Sequence, residues 1–209
     1  MSIALLRQQS VENYFLKTTY AVPTQTLASL PLKAAFIDRD GVINKEKNYL
    51  YKIAEFEFTD HCIDALRNIT DAGYHIIVVT NQSGIGRGYY TEADYYKLTN
   101  WYVRELKARQ ITITAVFFCP HHPRATLAEY RKQCDCRKPK PGMILEAARK
   151  YGIDLSTSVM IGDKITDVHA GKAAGIGNNI LVNNEQNSIM ASTAKIPYYE
   201  NLYQWSFTL

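Results

Sequence analysis

The sequence predicts an α/β protein, an open parallel sheet with helices on both faces, and three observations carry that prediction. Short apolar runs suited to buried strands recur along the chain, stretches of helical spacing alternate with them, and several of the runs end directly in residues able to do chemistry. With 209 residues, 46% of them hydrophobic, the chain is long enough for one domain with a sizeable core.

The elements follow in order. Residues 1–32 carry few charges and weak periodicity and are expected to form an N-terminal extension without a catalytic role, ahead of the main domain at 33–209. Ala34 to Asp38 and Tyr74 to Thr80 read as buried strands. Between them, His61 to Ala72 places Ile63, Leu66 and Ile69 at helical spacing, which completes a βαβ unit. Thr91 can cap a helix to about Arg109 with Tyr95, Leu98, Tyr102 and Leu106 as its stripe, and this helix leads to a third strand, Ile113 to Phe118. Pro141 opens a helix to about Tyr151, which Gly152 ends. Ser158 to Ile161, a helix over about Thr166 to Ala174 and Asn179 to Val182 complete the alternation. No insertion large enough for a separate cap domain falls between Asp40 and Thr80 or between Thr80 and Lys138, so an open site is expected.

Composition narrows the function. A formal net charge of +4, with Lys and Arg scattered rather than gathered in a tract, favours anionic small molecules over nucleic acid. The apolar stretch Ile3 to Leu6 is too brief for a signal-peptide core and no run approaches membrane-spanning length, so a cytoplasmic protein without a membrane partner is expected, with a monomer as the expected state.

In open parallel sheets ligands bind beyond the carboxyl ends of the strands. There the first strand delivers Asp38-Arg39-Asp40-Gly41, the second Thr80-Asn81-Gln82-Ser83-Gly84, the third a cysteine-bearing loop ending in Arg137-Lys138-Pro139, and the fourth Gly162-Asp163 with Asp167 a helical turn on. Asp38, Asp40 and Asp163 together form an oxygen-rich anionic pocket suited to Mg²⁺. One carboxylate is then free to attack phosphorus while the second donates a proton to the leaving alcohol and later activates water. Lys138 and the Thr80 hydroxyl would balance charge on the phosphoryl oxygens. Cys119-x-His121 and Cys134-x-Cys136, with 12 residues between His121 and Cys134, offer three thiolates and an imidazole, a set that suits structural Zn²⁺ in a reducing compartment. Cys62, within a helical pattern, reads as a core residue.

The order DRDG, TNQSG, RKPKPG, IGDKITD resembles the four motifs of the haloacid dehalogenase superfamily of phosphatases, and the resemblance spans about Lys33 to Val182. It is closest to the D-glycero-D-manno-heptose-1,7-bisphosphate 7-phosphatases, relatives of the histidinol-phosphate phosphatases, and the strings CPHHP and CDCRKP match the zinc loop of the heptose branch. The resemblance implies Asp38 as nucleophile, Asp40 as general acid and base, and Thr80 and Lys138 as phosphoryl stabilisers. It further implies Mg²⁺ on Asp38, Asp163 and the Asp40 main-chain carbonyl, with Asp167 behind them holding Lys138. Zn²⁺ would sit on Cys119, His121, Cys134 and Cys136, with His122 outside the site, and substrate contacts would come from Glu46, Lys47, Asn48, Tyr49, Asn81, Gln82, Ser83 and Arg137. The implied substrate is a small phosphorylated sugar on the way to bacterial surface polysaccharide. The alternatives are a histidinol-phosphate or other sugar-phosphate phosphatase, and a metal-stapled binding module without activity. Val42 departs from the pattern, where relatives carry Thr.

Overall fold

The structure, a computed structural model, describes residues 31–183 and 185–209, with the side chains of residues 185–188 and 190 left aside. The extension expected at the N-terminus therefore lies almost wholly outside the described residues. Leu32, at its end, forms a parallel bridge with Ile153.

Six strands form one parallel sheet in the order β3-β2-β1-β4-β5-β6. They are β1 (Ala34–Ile37), β2 (His75–Asn81), β3 (Ile113–Cys119), β4 (Val159–Gly162), β5 (Asn178–Val182) and β6 (Tyr198–Tyr199). The helices among the described residues are α1 (Cys62–Asp71), α2 (Ser83–Gly86), α3 (Glu92–Ala108), α4 (Gly142–Tyr151), α5 (Ile165–Ala174), α6 (Glu185–Ala194) and α7 (Leu202–Ser206). β1 is central: Ala35 pairs with Ile76 of β2 on one side and with Val159 of β4 on the other. The strand order reverses direction at β1, which creates the crevice where such sheets take ligands.

The period of two in a strand sorts side chains into two layers. Ala35 and Ile37 join Val78, Val159 and Ile161 against α1, α3 and α7, whose contributions include Leu66, Leu98, Tyr102 and Trp205. Ala34 and Phe36 turn the other way with Ile77, Val79 and Met160 onto Met143, Ile144 and Ala147 of α4 and Ala170 of α5. β1 is fully buried on both faces, which is why it reads as an unbroken apolar run. Val42 packs wholly inside the first layer.

Local signals set the ends of the elements. Thr91 caps α3 in a reciprocal box with Asp94, and Gly152 ends α4 in the left-handed region at φ 65°. The strand and helix limits expected from the sequence agree with those observed to within a residue or two. β6, α6, α7 and the one-turn α2 were not expected.

Candidate active site

The C-terminal edge of the sheet is built around Asp38. Its amide still donates to the Ile161 carbonyl of β4 at 3.0 Å, and the chain then turns sharply, with the Arg39 carbonyl accepting from the amides of Ile43 and Asn44 at 2.9 and 3.1 Å. Gly41 makes the turn possible. It has φ +82°, and a Cβ there would lie 2.4 Å from Asp163 Oδ2, so the absence of a side chain lets the Asp163 carboxylate close on the loop.

Lys138 is buried beneath this loop: its ammonium donates to Val79 O at 2.7 Å and forms ion pairs with Asp167 Oδ1 at 2.6 Å and Asp38 Oδ1 at 3.0 Å. Burial opposes the charge on Lys138, but Asp167 and Asp38 outweigh it and hold its pKa above the ordinary lysine value. The second oxygen of Asp167 accepts from the Lys164 amide at 3.0 Å, so that carboxylate is committed to fixing Lys138 and the start of α5. Burial raises Asp38 to about 6, against the pull of Lys138 and with added repulsion from Asp167 and Asp40. Burial and then repulsion from Asp38 push Asp163 up to about 8. One oxygen each of Asp38, Asp163 and Asp167 lie within 4.8 Å of one another. Asp167 is held at both oxygens, while Asp38, whose Oδ1 meets Lys138, and Asp163, 3.7 Å from Lys164, are hard anionic donors that repel each other, a donor set that fits Mg²⁺.

Asp40 stands beside them in a ring of donors. The buried Arg39 guanidinium gives Nη2 to its two oxygens at 2.8 and 2.9 Å, Asn44 Nδ2 reaches Oδ1 at 3.1 Å, and Gln82 Nε2 reaches Oδ2 at 2.9 Å. Burial would raise Asp40, but Arg39 and these hydrogen bonds hold it below the usual carboxylate value. Gln82 Nε2 also donates to Thr80 Oγ1 at 2.8 Å. Asn81 turns to Lys138: its Nδ2 donates to the Lys138 carbonyl and its Oδ1 accepts from the Lys138 amide, both at 3.1 Å, which pins the third strand-end loop to the second.

Asp38, Asp40, Thr80, Asn81, Gln82, Lys138 and Asp167 line a cleft of about 350 Å³, with Asp163 behind its lining. Of the residues expected to meet substrate, Glu46, Asn48, Tyr49, Asn81, Gln82, Ser83 and Arg137 lie on it; Lys47 does not, because its ammonium pairs with Glu57. Asn48 and Tyr49 take positive φ values of 47° and 64°, unusual for residues with a Cβ. The cleft also contains Tyr90, at the end of the Gly84 to Tyr90 stretch expected to shape selectivity, and Lys164 and Thr166, which the sequence did not single out. Lys164 pairs with Glu46 at 3.0 Å, which ties the loop after β1 to the end of β4. That residue and Arg39 each adjoin a site aspartate in sequence, the one cue that could have marked them.

The cysteine loop closes on itself. Cys119 Sγ lies 3.5 Å from Cys134 and 2.9 Å from Cys136, the latter two are 3.3 Å apart, and His121 Nδ1 is 3.3 Å from Cys136 and 3.7 Å from Cys119. All are far beyond a disulfide bond length, and four ligand atoms so grouped suit one tetrahedral ion. Hydrogen bonding with Cys119, which outweighs the upward push of burial, and with His121 brings Cys136 down to about 5, toward the thiolate a zinc ion requires. His122 faces elsewhere, accepting from the Arg124 amide at 3.0 Å with Arg87 3.4 Å from its other nitrogen. Cys62 is buried among core residues, as expected.

A central strand ending in paired aspartates, with a buried lysine from a later loop and a further aspartate from β4, defines a phosphoric monoester hydrolase of the haloacid dehalogenase type. The HAD-hydrolase-like family model matches residues 135–196. At 54% identity over 151 residues, 72% of this chain and 82% of the relative, the chain is similar to the D-glycero-alpha-D-manno-heptose-1,7-bisphosphate 7-phosphatase of Photorhabdus laumondii. It is 46% identical over 149 residues, 71% of this chain and 78% of the relative, to the D-glycero-beta-D-manno-heptose-1,7-bisphosphate 7-phosphatase of Escherichia coli K12. Among solved structures it resembles the D,D-heptose 1,7-bisphosphate phosphatase of B. bronchiseptica complexed with magnesium and phosphate, with a TM-score of 0.73 and 28% identity over 85% of this chain and 97% of that one. The chain belongs to the D-glycero-D-manno-heptose-1,7-bisphosphate 7-phosphatase family.

Proposed function

We propose that this chain hydrolyses the 7-phosphate of a D-glycero-D-manno-heptose 1,7-bisphosphate, with Asp38 as the nucleophile. The observation that carries the reading is the joint placement of Asp38, Lys138 and Asp40 at the cleft floor, with Arg137 and Lys164 on the same cleft to meet a second phosphate. Mg²⁺ would be held by Asp38, Asp163 and the Asp40 main-chain carbonyl and would supply positive charge that offsets repulsion between carboxylates and phosphate.

In the first half-reaction an Asp38 oxygen bonds to phosphorus as the bond to the sugar oxygen breaks, and Asp40 gives that oxygen its proton. In the second, water attacks phosphorus, Asp40 takes its proton, and the bond to Asp38 breaks to release inorganic phosphate. The donors around Asp40 favour its carboxylate, the form the second half-reaction uses; an incoming phosphate dianion raises its proton affinity for the first. Lys138 and the Thr80 hydroxyl carry the charge of the phosphoryl oxygens. Zn²⁺ would be held by Cys119, His121, Cys134 and Cys136, a four-ligand set of the structural kind, and would order the loop that ends in Arg137 and Lys138.

Phosphate release in Mg²⁺ from both anomers of the heptose bisphosphate, histidinol phosphate and hexose bisphosphates tests the reading. The expected result is a preference in kcat/KM for one heptose anomer over every other compound. A preference for histidinol phosphate overturns the substrate assignment, and no release from any ester overturns the enzyme reading.

A further inference from the structure

Gln82 is 2% exposed, and its backbone is anchored by donation to the Cys119 carbonyl at 2.8 Å. Its amide has two ends and three neighbours. Asp40, paired with Arg39, presents an acceptor at 2.9 Å, so the atom facing it must be Nε2; the opposite orientation would set two acceptors against each other. Oε1 is then left facing inward, where the Tyr90 hydroxyl donates to it at 2.5 Å.

Tyr90 is itself well placed. Its side chain is buried and stacked on Tyr51 with ring centroids 5.2 Å apart. The ring fills the space beside Gly84, where a Cβ would come within 2.2 Å of it, and the capped start of α3 follows at Thr91.

We infer that Tyr90 is a positioning residue for the phosphatase reaction: its hydroxyl fixes the Gln82 amide so that one NH₂ group bridges Asp40 Oδ2 and Thr80 Oγ1. The bridge sets the distance between the group that protonates the leaving oxygen and the group that holds the phosphoryl oxygens. Gln82, expected from the sequence to contact substrate, has both ends of its amide committed to the protein. Without the Tyr90 hydroxyl, Oε1 is buried without a donor, the amide gains reason to rotate, and Asp40, though still held by Arg39 and Asn44, loses the Gln82 link to Thr80. The inference rests on the acid role of Asp40 in the reading above.

Tyr90→Phe keeps the ring and removes only the hydroxyl. The measured quantity is kcat/KM, which reports the first half-reaction, for the heptose 1,7-bisphosphate and for 4-nitrophenyl phosphate, whose leaving group needs little help from an acid. The expected result is a loss of about tenfold on the sugar phosphate and less than about twofold on the aryl ester. A second expectation is that Tyr90→Phe costs nothing further when added to Gln82→Leu, because it acts through that side chain. Equal losses on both esters, or additive losses in the double variant, overturn the positioning role. Asp40→Asn is the control. If it falls more on the sugar phosphate than on the aryl ester while Tyr90→Phe matches the parent on both, the Tyr90 role alone is overturned. If Asp40→Asn falls equally on both, the acid role fails and the inference with it.

Discussion

At the scale of single residues, the site is an exercise in charge accounting around Lys138. Its ammonium donates to Val79 and pairs with Asp167 and Asp38, so any change in that set leaves a buried charge short of a partner. Asp38→Asn removes both the proposed nucleophile and one of those partners. The expected outcome is a fall of more than about 10³-fold in kcat, read by phosphate release, with the native circular dichroism retained because Asp167 still pairs with Lys138. Arg137 is a different case, half-buried at the cleft, its guanidinium donating to the His121 carbonyl at 3.3 Å. Its planar fork suits the phosphate that is not cleaved, so Arg137→Ala should cost about 2 kcal/mol, about 30-fold in kcat/KM, on a sugar bisphosphate and almost nothing on a monophosphate. Equal losses on the two would remove Arg137 from that role. Asp38, Asp163 and Lys138 could be read from the chain because each stands where a strand or its loop ends. The parts of Arg39, Tyr90 and Lys164 could not be, since what gives each its meaning is a partner: Asp40 for the first, Gln82 for the second, Glu46 for the third.

At the scale of elements, the cysteine loop connects β3 to α4 and carries Lys138 only two positions after Cys136. Ordering the four ligands is therefore also ordering the cation. We expect one zinc per chain by elemental analysis of protein purified without chelator, and Cys134→Ser should lower zinc content and activity together, without rescue by added Mg²⁺. Full activity in a zinc-free preparation would separate the loop from the chemistry. The elements legible in the sequence are those with strong local signals: a fully apolar β1, the Thr91 capping box of α3, the Pro141 and Gly152 bounds of α4. The ones missed lack such signals. β6 is two residues long and exists through its pairing with Leu181 and Val182, while α7 is five residues whose Leu202 and Trp205 become core only against the other elements of that layer.

At the scale of the whole molecule, the crowding of Asp38 and Asp163 links stability to pH and metal. In the metal-free protein both carboxyls have folded-state pKa values raised above the ordinary range, to about 6 and about 8. Between about pH 4 and pH 8 the folded state therefore binds more protons than the unfolded state, and their contribution makes stability fall as pH rises through that window. Mg²⁺ competes with those protons, so its stabilising effect should grow as they leave. Thermal unfolding with and without millimolar Mg²⁺ should show a larger rise in Tm at pH 8 than at pH 5.5; the same rise at both would argue against Asp38 and Asp163 as the ligands. The central position of β1 has one more consequence. The pairing that frames the nucleophile joins Ala35 to Val159, and the Ala34 amide donates to the Ser158 hydroxyl 124 residues along. Contacts this distant in sequence form late, after the intervening chain has been closed into a loop. During synthesis, then, a ribosome that has released β1, β2, β3 and even Lys138 still holds no enzyme. The capacity to break a phosphate ester arrives only when β4 docks beside the first strand and brings Asp163 and Asp167 with it, so a nascent chain cut short of that point spends nothing of the cell's sugar phosphate.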